Sequence, residues 1–420
     1  MKAHYDIIVA GGGFAGVCAA VSAARMGKSV CLIEKHNCLG GAASYGLVLP
    51  FMYYWTCDPT SKERIPLSRG IFAEIVKELS ALGGVRADWQ ECFNEEILKV
   101  VLNRLVINSG VTLLFQSYIS HVSCQNGKIS SVTVSHVGGK RELLGDYFID
   151  ATGDGNLCYM AGFDFMLGRE EDGLCQPMTL SFRLSGVNIP LFEKTHHLIN
   201  ETYKSYKDKG KISNPRENIL SFKTTHHGIL HFNSTRVIKL DPTNIEELTQ
   251  AEIIGREQAF ELFTFLKSSF EAFKNATLLS TGMQIGVRES RRIVGEYVLT
   301  RDDIISQRKF HDSVAFCNYD IDIHNPSGEG TSHYYFKDGE YYSIPYRSLI
   351  PRGSVNLLVA GRCISATHEA QASLRIMPVC ATLGQGAGVA AAIAHSDKLK
   401  VGDIDTDKLR NAIFEQGGIC

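Results

Sequence analysis

The run Tyr5-Asp6-Ile7-Ile8-Val9-Ala10 is apolar at consecutive positions rather than alternate ones. That pattern predicts a strand covered on both faces, as in a parallel sheet. From Phe14 to Met26 the chain has no proline, and small residues recur every four positions at Ala15, Ala19, Ala23 and at Gly16, Ala20, Ala24. The spacing predicts a helix lying close against its neighbours, ended by a left-handed cap at Gly27. Ser29 to Glu34 reads as a second strand and closes a β-α-β unit of about 30 residues.

Beyond this unit, Ile71, Ile75, Leu79 and Leu82 recur at helical spacing, and a further helix is predicted from an Asn94 cap through Leu98, Leu102 and Leu105. Strands are predicted at Val111–Phe115, Tyr118–Ser123 and Ile129–Val134, with another leading into Phe148-Ile149-Asp150-Ala151. From about Phe165 to Tyr342 the clean alternation disappears. A long helix is expected over Glu246–Phe270, and the turn-rich stretch Asp312–Tyr342 reads as a loop over a site. The strand Val355–Ala360 and a small-residue helix after Pro378 return to the opening style. The expected fold is therefore α/β: a Rossmann-like, doubly wound nucleotide domain, discontinuous over residues 1–164 and 343–420, with an inserted α+β substrate domain over 165–342.

Composition narrows the partners. Of 420 residues, 44% are hydrophobic and 21% charged, with a net charge of −2. This carries no bias toward nucleic acid or an anionic membrane, so neither is an expected partner and partners must be argued from sites. The 12 cysteines are scattered singly, without metal-ligand spacing, which fits reduced thiols and a cytoplasmic location. No signal peptide or membrane-length apolar run is expected.

Gly11-x-Gly13-x-x-Gly16 falls between the first strand and helix, and Glu34 ends the second strand. The glycines allow a tight turn and close approach of a pyrophosphate, the helix N-terminus supplies free N–H groups, and the carboxylate accepts from ribose hydroxyls. This combination predicts dinucleotide binding and leaves open which dinucleotide.

Several further blocks resemble the FAD-dependent oxidoreductase family with a glutathione-reductase-like FAD domain. They are the opening through Glu34-Lys35, Leu39-Gly40-Gly41-Ala42-Ala43-Ser44, Ile149 to Gly155, Arg288 to Gly295, Asn356 to Arg362, Arg375-Ile376-Met377-Pro378 and Leu383 to Gly388. The resemblance implies an FAD-binding Rossmann-like domain. It places Gly11, Gly13, Phe14, Ala15, Gly16, Glu34 and Lys35 on the cofactor, with Gly40, Gly41, Ala43 and Ser44 near the pyrophosphate and ring. Tyr118 and Ile119 are implied by the adenine, and Ala151, Gly153 and Asp154 on the cofactor again. Gly361, Arg362 and a helix start near Gln385 and Ala387 are implied to face the ribityl chain and flavin.

Two departures bear on chemistry. Arg362 stands where many relatives have an acid, and Gly41-Ala42-Ala43-Ser44-Tyr45 has no redox cysteine pair, which disfavours disulfide reduction. No second glycine-rich nucleotide unit is found. The expected activity is two-electron oxidation or reduction of a small organic substrate at flavin N5, with an unspecified electron donor or acceptor. An FAD monooxygenase or halogenase and a non-catalytic binding protein are the alternatives. Candidate catalytic groups are His368, Arg375 and Arg292, a proton carrier and two cations for a carboxylate or carbonyl; the alternatives are a hydrogen-bonded structural role for His368 and, for the cluster Arg288, Arg291 and Arg292, salt bridges to neighbours such as Glu289 and Glu296. No metal is expected: Gly228 and the β-branched surroundings of His226-His227-x-x-x-His231 oppose the helix a metal pair needs. His324, Glu329 and His333 are read as solvated loop residues or pocket lining. His36 and Cys38 raise the question of a covalent flavin, with ordinary core or surface roles as the simpler reading.

Overall fold

A computed structural model describes residues 3–89, 91–328 and 330–420. Strand β1 (His4–Ala10), helix α1 (Phe14–Arg25) and strand β2 (Val30–Ile33) form the opening unit. Gly27 has a φ of 79° just past the helix, the conformation a Cβ opposes. Ile7, Ile8 and Val9 have no exposed surface, because layers pack on both faces of the sheet.

The remaining strands of this sheet are β3 (Thr112–Leu114), β4 (Tyr118–Gln125), β5 (Lys128–His136) and the long β6 (Gly139–Asp150). Strands β3, β2, β1 and β6 run parallel in that order. The outer edge of β6 is shared. Its first half pairs antiparallel with β5, which pairs with β4, and its last residues pair parallel with Leu357–Val359. The C-terminal part of the chain thereby completes the sheet begun by the N-terminal part.

The helix Met377–Asp397 crosses α1 at close range. A methyl at Gly384 would lie 2.0 Å from the Ala15 carbonyl oxygen, and one at Gly388 would lie 2.2 Å from that of Ala19. Among the described residues this is the one helix long and apolar enough to cross a membrane, and 94% of its most apolar stretch is buried in the fold.

The middle of the chain builds a four-stranded sheet in the order Ser221–Lys223, Leu230–Phe232, Phe182–Ser185, Thr277–Thr281, covered by the helix Ile245–Ser269. Phe182, Phe232, Leu262 and Phe273 form its separate core. The segment expected to be inserted, 165–342, divides between two cores. Side chains from Met178 to Ile285 pack in the middle unit, whereas Ile293, Leu299, Ile304, Val314 and Ile321 pack into the core of the large sheet. The stretch expected as a loop contains two antiparallel pairs, Ser313–Cys317 with Tyr342–Pro345 and Ile321–His324 with Thr331–Tyr334.

Candidate active site

A cleft enclosing about 1380 Å³, partly open to solvent, runs along the C-terminal ends of the parallel strands, where open α/β sheets place their ligands. Its floor is the turn after β1. Gly11 has a φ of 96°, and a methyl there would lie 2.5 Å from the Ala151 carbonyl oxygen. At Gly13 the only atom a methyl would approach is Gly41 Cα, 3.9 Å away, so the backbone is open on the cleft side. The first turn of α1 also faces the cleft with Phe14 and Ala15, directing its positive end there.

Glu34 is buried and holds the turn to the second strand. Its Oε2 accepts from the Gly12 N–H at 2.6 Å, and its Oε1 from the His36 N–H at 2.7 Å. The opposite wall turns on Asp150, whose Oδ1 accepts from the Thr152 N–H and hydroxyl at 3.0 and 2.7 Å, and whose Oδ2 accepts from the Cys158 N–H at 2.8 Å. Burial raises its pKa.

Arg362 ties three segments together. Nε donates to the Gly153 carbonyl at 2.8 Å, Nη1 to the Val287 carbonyl at 2.7 Å, and Nη2 to the Asp154 carboxylate. Burial works to raise the Asp154 pKa, but Arg362 and Lys35 outweigh it and hold it below the usual value. The basic residue in place of an acid is thus a cross-loop staple at the cleft wall.

Of the residues expected at the cofactor, Gly11, Gly13, Phe14, Ala15, Glu34, Lys35, Gly40, Gly41, Ile119, Ala151, Gly153, Asp154, Gly361 and Arg362 line this one cleft. Others stand apart. Gly16 packs α1 onto the turn, where a methyl would lie 1.7 Å from the Gly11 carbonyl oxygen. Ala43 is buried, and the Ser44 hydroxyl donates to the Leu39 carbonyl at 2.6 Å, closing its own loop. Gln385 and Ala387 lie two turns into the helix Met377–Asp397, and Gln385 accepts from the Ile71 N–H at 3.1 Å. The part of that helix on the cleft is its start, Met377 and Cys380. Burial pushes the Cys380 thiol up to about 12.

The candidate catalytic groups also separate. Arg375 lines the cleft. His368 and Arg292 instead meet around the buried Glu289 carboxylate. His368 Nδ1 lies 2.8 Å from Oε2, while Arg292 donates to the same carboxylate, to the Gly168 carbonyl at 2.8 Å and to the Ala366 carbonyl at 3.0 Å. That cluster locks the helix His368–Leu374 against the loop before it. Neither residue lines the cleft, because burying Arg292 requires every face of its guanidinium to find protein acceptors.

Gln284, Ile285, Gly286 and Val287 from the middle unit close the cleft, together with Tyr45. Sequence reasoning missed them, since no glycine or charge pattern marks them. His36 shares a hydrogen bond with Gln284 at 3.0 Å, Cys38 is buried, and neither lines the cleft. His231 lies in a strand with no exposed surface, not on a helix with His227. His324 and His333 flank Asp322 at 3.3 and 3.7 Å, and Glu329 lies outside the described residues.

A glycine turn, an acid ending the second strand and a cleft at the strand ends define a dinucleotide-binding protein of the Rossmann type. Residues 6–413 match the family of FAD-dependent oxidoreductases; the chain belongs to that family, it is an enzyme, and FAD is its cofactor. It is 25% identical over 201 residues to digeranylgeranylglycerophospholipid reductase 1 of Methanococcoides burtonii, covering 45% of this chain and 47% of that protein. It is 55% identical over 40 residues to digeranylgeranylglycerophospholipid reductase of Methanoculleus marisnigri, 10% of each chain. The alignments therefore span about half or less of these relatives. The crystal structure of a geranylgeranyl bacteriochlorophyll reductase-like protein from Thermoplasma acidophilum has the same fold, with a TM-score of 0.50, 14% identity, and coverage of 99% of this chain and 84% of that one.

Proposed function

We propose that the protein carries out two-electron, hydride-type oxidation or reduction of a small organic molecule placed between the cofactor cleft and the middle unit. Bound FAD supplies the hydride acceptor or donor at its N5 atom. The glycine turn and the start of α1 are assigned to the pyrophosphate, Glu34 to the adenosine ribose, and the wall from Ala151 to Asp154 with Gly361 to the rest of the cofactor.

The observation that carries the reading is Arg375. It lines the same cleft, yet its buried Nε has no hydrogen-bond partner and its contacts to the Asp322 carbonyl and carboxylate are long, at 3.4 and 3.6 Å. Unlike Arg362, it has donors to spare for a substrate. Gln284 to Val287 cover the cleft on the side of the middle unit. Cys380, held as a neutral thiol, is a poor nucleophile, which leaves thiol exchange unsupported. The 12 free cysteines support a cytoplasmic location.

The test is anaerobic titration of the flavin-containing protein with candidate metabolites, following the flavin absorption bands. Bleaching of the oxidised flavin by an oxidisable metabolite, or recovery of the oxidised bands when a reducible one is added to the reduced flavin, is expected. Reoxidation by dioxygen alone, with a hydroxylated or halogenated product, would overturn the hydride reading.

A further inference from the structure

Behind Arg375 lies a second constellation that the cofactor does not need. Asp322, on the strand Ile321–His324, faces Arg375 at 3.6 Å and His324 at 3.3 Å. His324 Nδ1 lies 3.1 Å from Arg236, and Arg236 pairs with Glu217 at 3.2 Å. Arg216 precedes Glu217 and is buried. Arg288 follows the cleft residue Val287. Its Nη1 donates to the Pro177 carbonyl at 2.7 Å and to the Thr179 hydroxyl at 2.5 Å, and its carbonyl accepts from Gln371 at 2.8 Å, one turn before Arg375.

Four guanidinium groups, Arg216, Arg236, Arg288 and Arg375, thus gather in a largely buried region around two carboxylates, Asp322 and Glu217, that are linked through His324 and Arg236. Burial, then Arg375 and Arg216, press against the charge of Arg288 and push its pKa well below the usual guanidinium range. A guanidinium keeps its proton, so the strain persists as unbalanced positive potential, costly without a counter-charge. Arg236 and Arg216 are almost wholly buried, whereas Arg288 and Arg375 keep solvent-reachable surface, and Arg375 borders the cleft.

We infer that Arg288 and Arg375 form an oxyanion subsite beside the flavin, which takes the carboxylate or phosphate group of the substrate, with Asp322 orienting Arg375. This rests on the proposed reading of the cleft as the place of substrate oxidation or reduction, and it names the class: organic anions. Arg216 and Arg236 supply background positive potential, and the Asp322 pair keeps Arg375 from folding away.

The inference is tested on the flavin-containing protein by calorimetric titration with benzoate, inorganic phosphate and the neutral isostere benzamide, with the flavin difference spectrum recorded alongside. At least one anion is expected to bind and benzamide is not. Benzoate binding with phosphate silent assigns a carboxylate substrate, and the reverse assigns a phosphate ester. Arg375→Met and Arg288→Met are each expected to weaken the anion by about 10–100-fold, the loss of charge-assisted hydrogen bonds, while Arg375→Lys recovers part. Benzamide binding as tightly as benzoate, or either Met variant binding like the parent, overturns the inference. Should a variant fail to fold, the parent decides alone: its melting temperature must rise with the anion and not with benzamide. A protein that retains flavin and is reduced by a metabolite but binds neither anion sinks the subsite and leaves the hydride reading standing. Anion binding without metabolite-driven flavin reduction does the opposite.

Discussion

At Glu34 one carboxylate satisfies two backbone donors, so it shapes the turn of the cleft in which it is proposed to hold the ribose. Replacing it with Gln leaves one good acceptor and orphans either the Gly12 or the His36 N–H, a loss of about 1–3 kcal/mol. Glu34→Gln is expected to weaken FAD binding by roughly 10-fold or more, read by fluorescence titration of the apoprotein; unchanged affinity would remove Glu34 from the cofactor set. Gly11 and Gly110 separate two reasons for glycine. Both have positive φ, at 96° and 78°, but a methyl at Gly11 meets the Ala151 carbonyl oxygen at 2.5 Å and one at Gly110 meets nothing within 4 Å. Gly110→Ala is expected to cost only about 1 kcal/mol of conformational strain and to keep FAD. Gly11→Ala is expected to cost several times that and to lose FAD, as judged by urea unfolding and flavin content of the purified variants.

Elements were legible where one local rule dominates. The consecutive apolar residues of β1, the Asn94 cap whose side chain accepts from Glu96 and Ile97, and the four-residue spacing of small side chains in α1 each mark structure from sequence. What escaped was set by distant partners. The strands from Ser313 to Pro345 pair across loops that polar, turn-rich sequence disguises. Arg292 sits three residues from Glu289, so their ion pair is legible in sequence, but only the fold reveals that the same carboxylate also claims His368, 79 residues away. Gln385 likewise resembles a cofactor ligand by its place in a family block, and only the fold shows that it lies two turns inside the helix and accepts from the Ile71 N–H. The crossing of α1 with Met377–Asp397 is the element-level test. A branched side chain at Gly384 must displace the α1 backbone at Ala15, because a backbone oxygen sits 2.0 Å from its first carbon. Gly384→Val is expected to destabilise by at least about 3 kcal/mol in urea unfolding. Gly402→Ala, which meets nothing within 4 Å, is expected to leave stability unchanged within error.

For the whole molecule, the cleft is assembled by two units with separate cores, so acid sensitivity in the middle unit reaches the site through the Gln284–Val287 cover. His231 is the group to watch. It has no exposed surface, neither ring nitrogen has a partner, and it pairs across the sheet with Arg183, itself bound to Glu95 at 2.5 and 2.7 Å. Burial, and then Arg183, push its pKa down to about 3 from 6.5. An unfolded imidazole takes its proton near pH 6.5, whereas the folded one stays neutral to about 3. Between those values the unfolded chain binds more protons. The stability from a neutral His231 is therefore full above pH 6.5 and drains as pH falls, by up to about 1.4 kcal/mol per pH unit. Urea unfolding at pH 7, 6 and 5 is expected to show His231→Leu losing less stability per unit than the parent by about that amount. Equal slopes would mean the ring already shares a proton in the folded state. If the parent also releases FAD over the same interval and the variant does not, the middle unit holds the cofactor cleft closed, and its unfolding opens it.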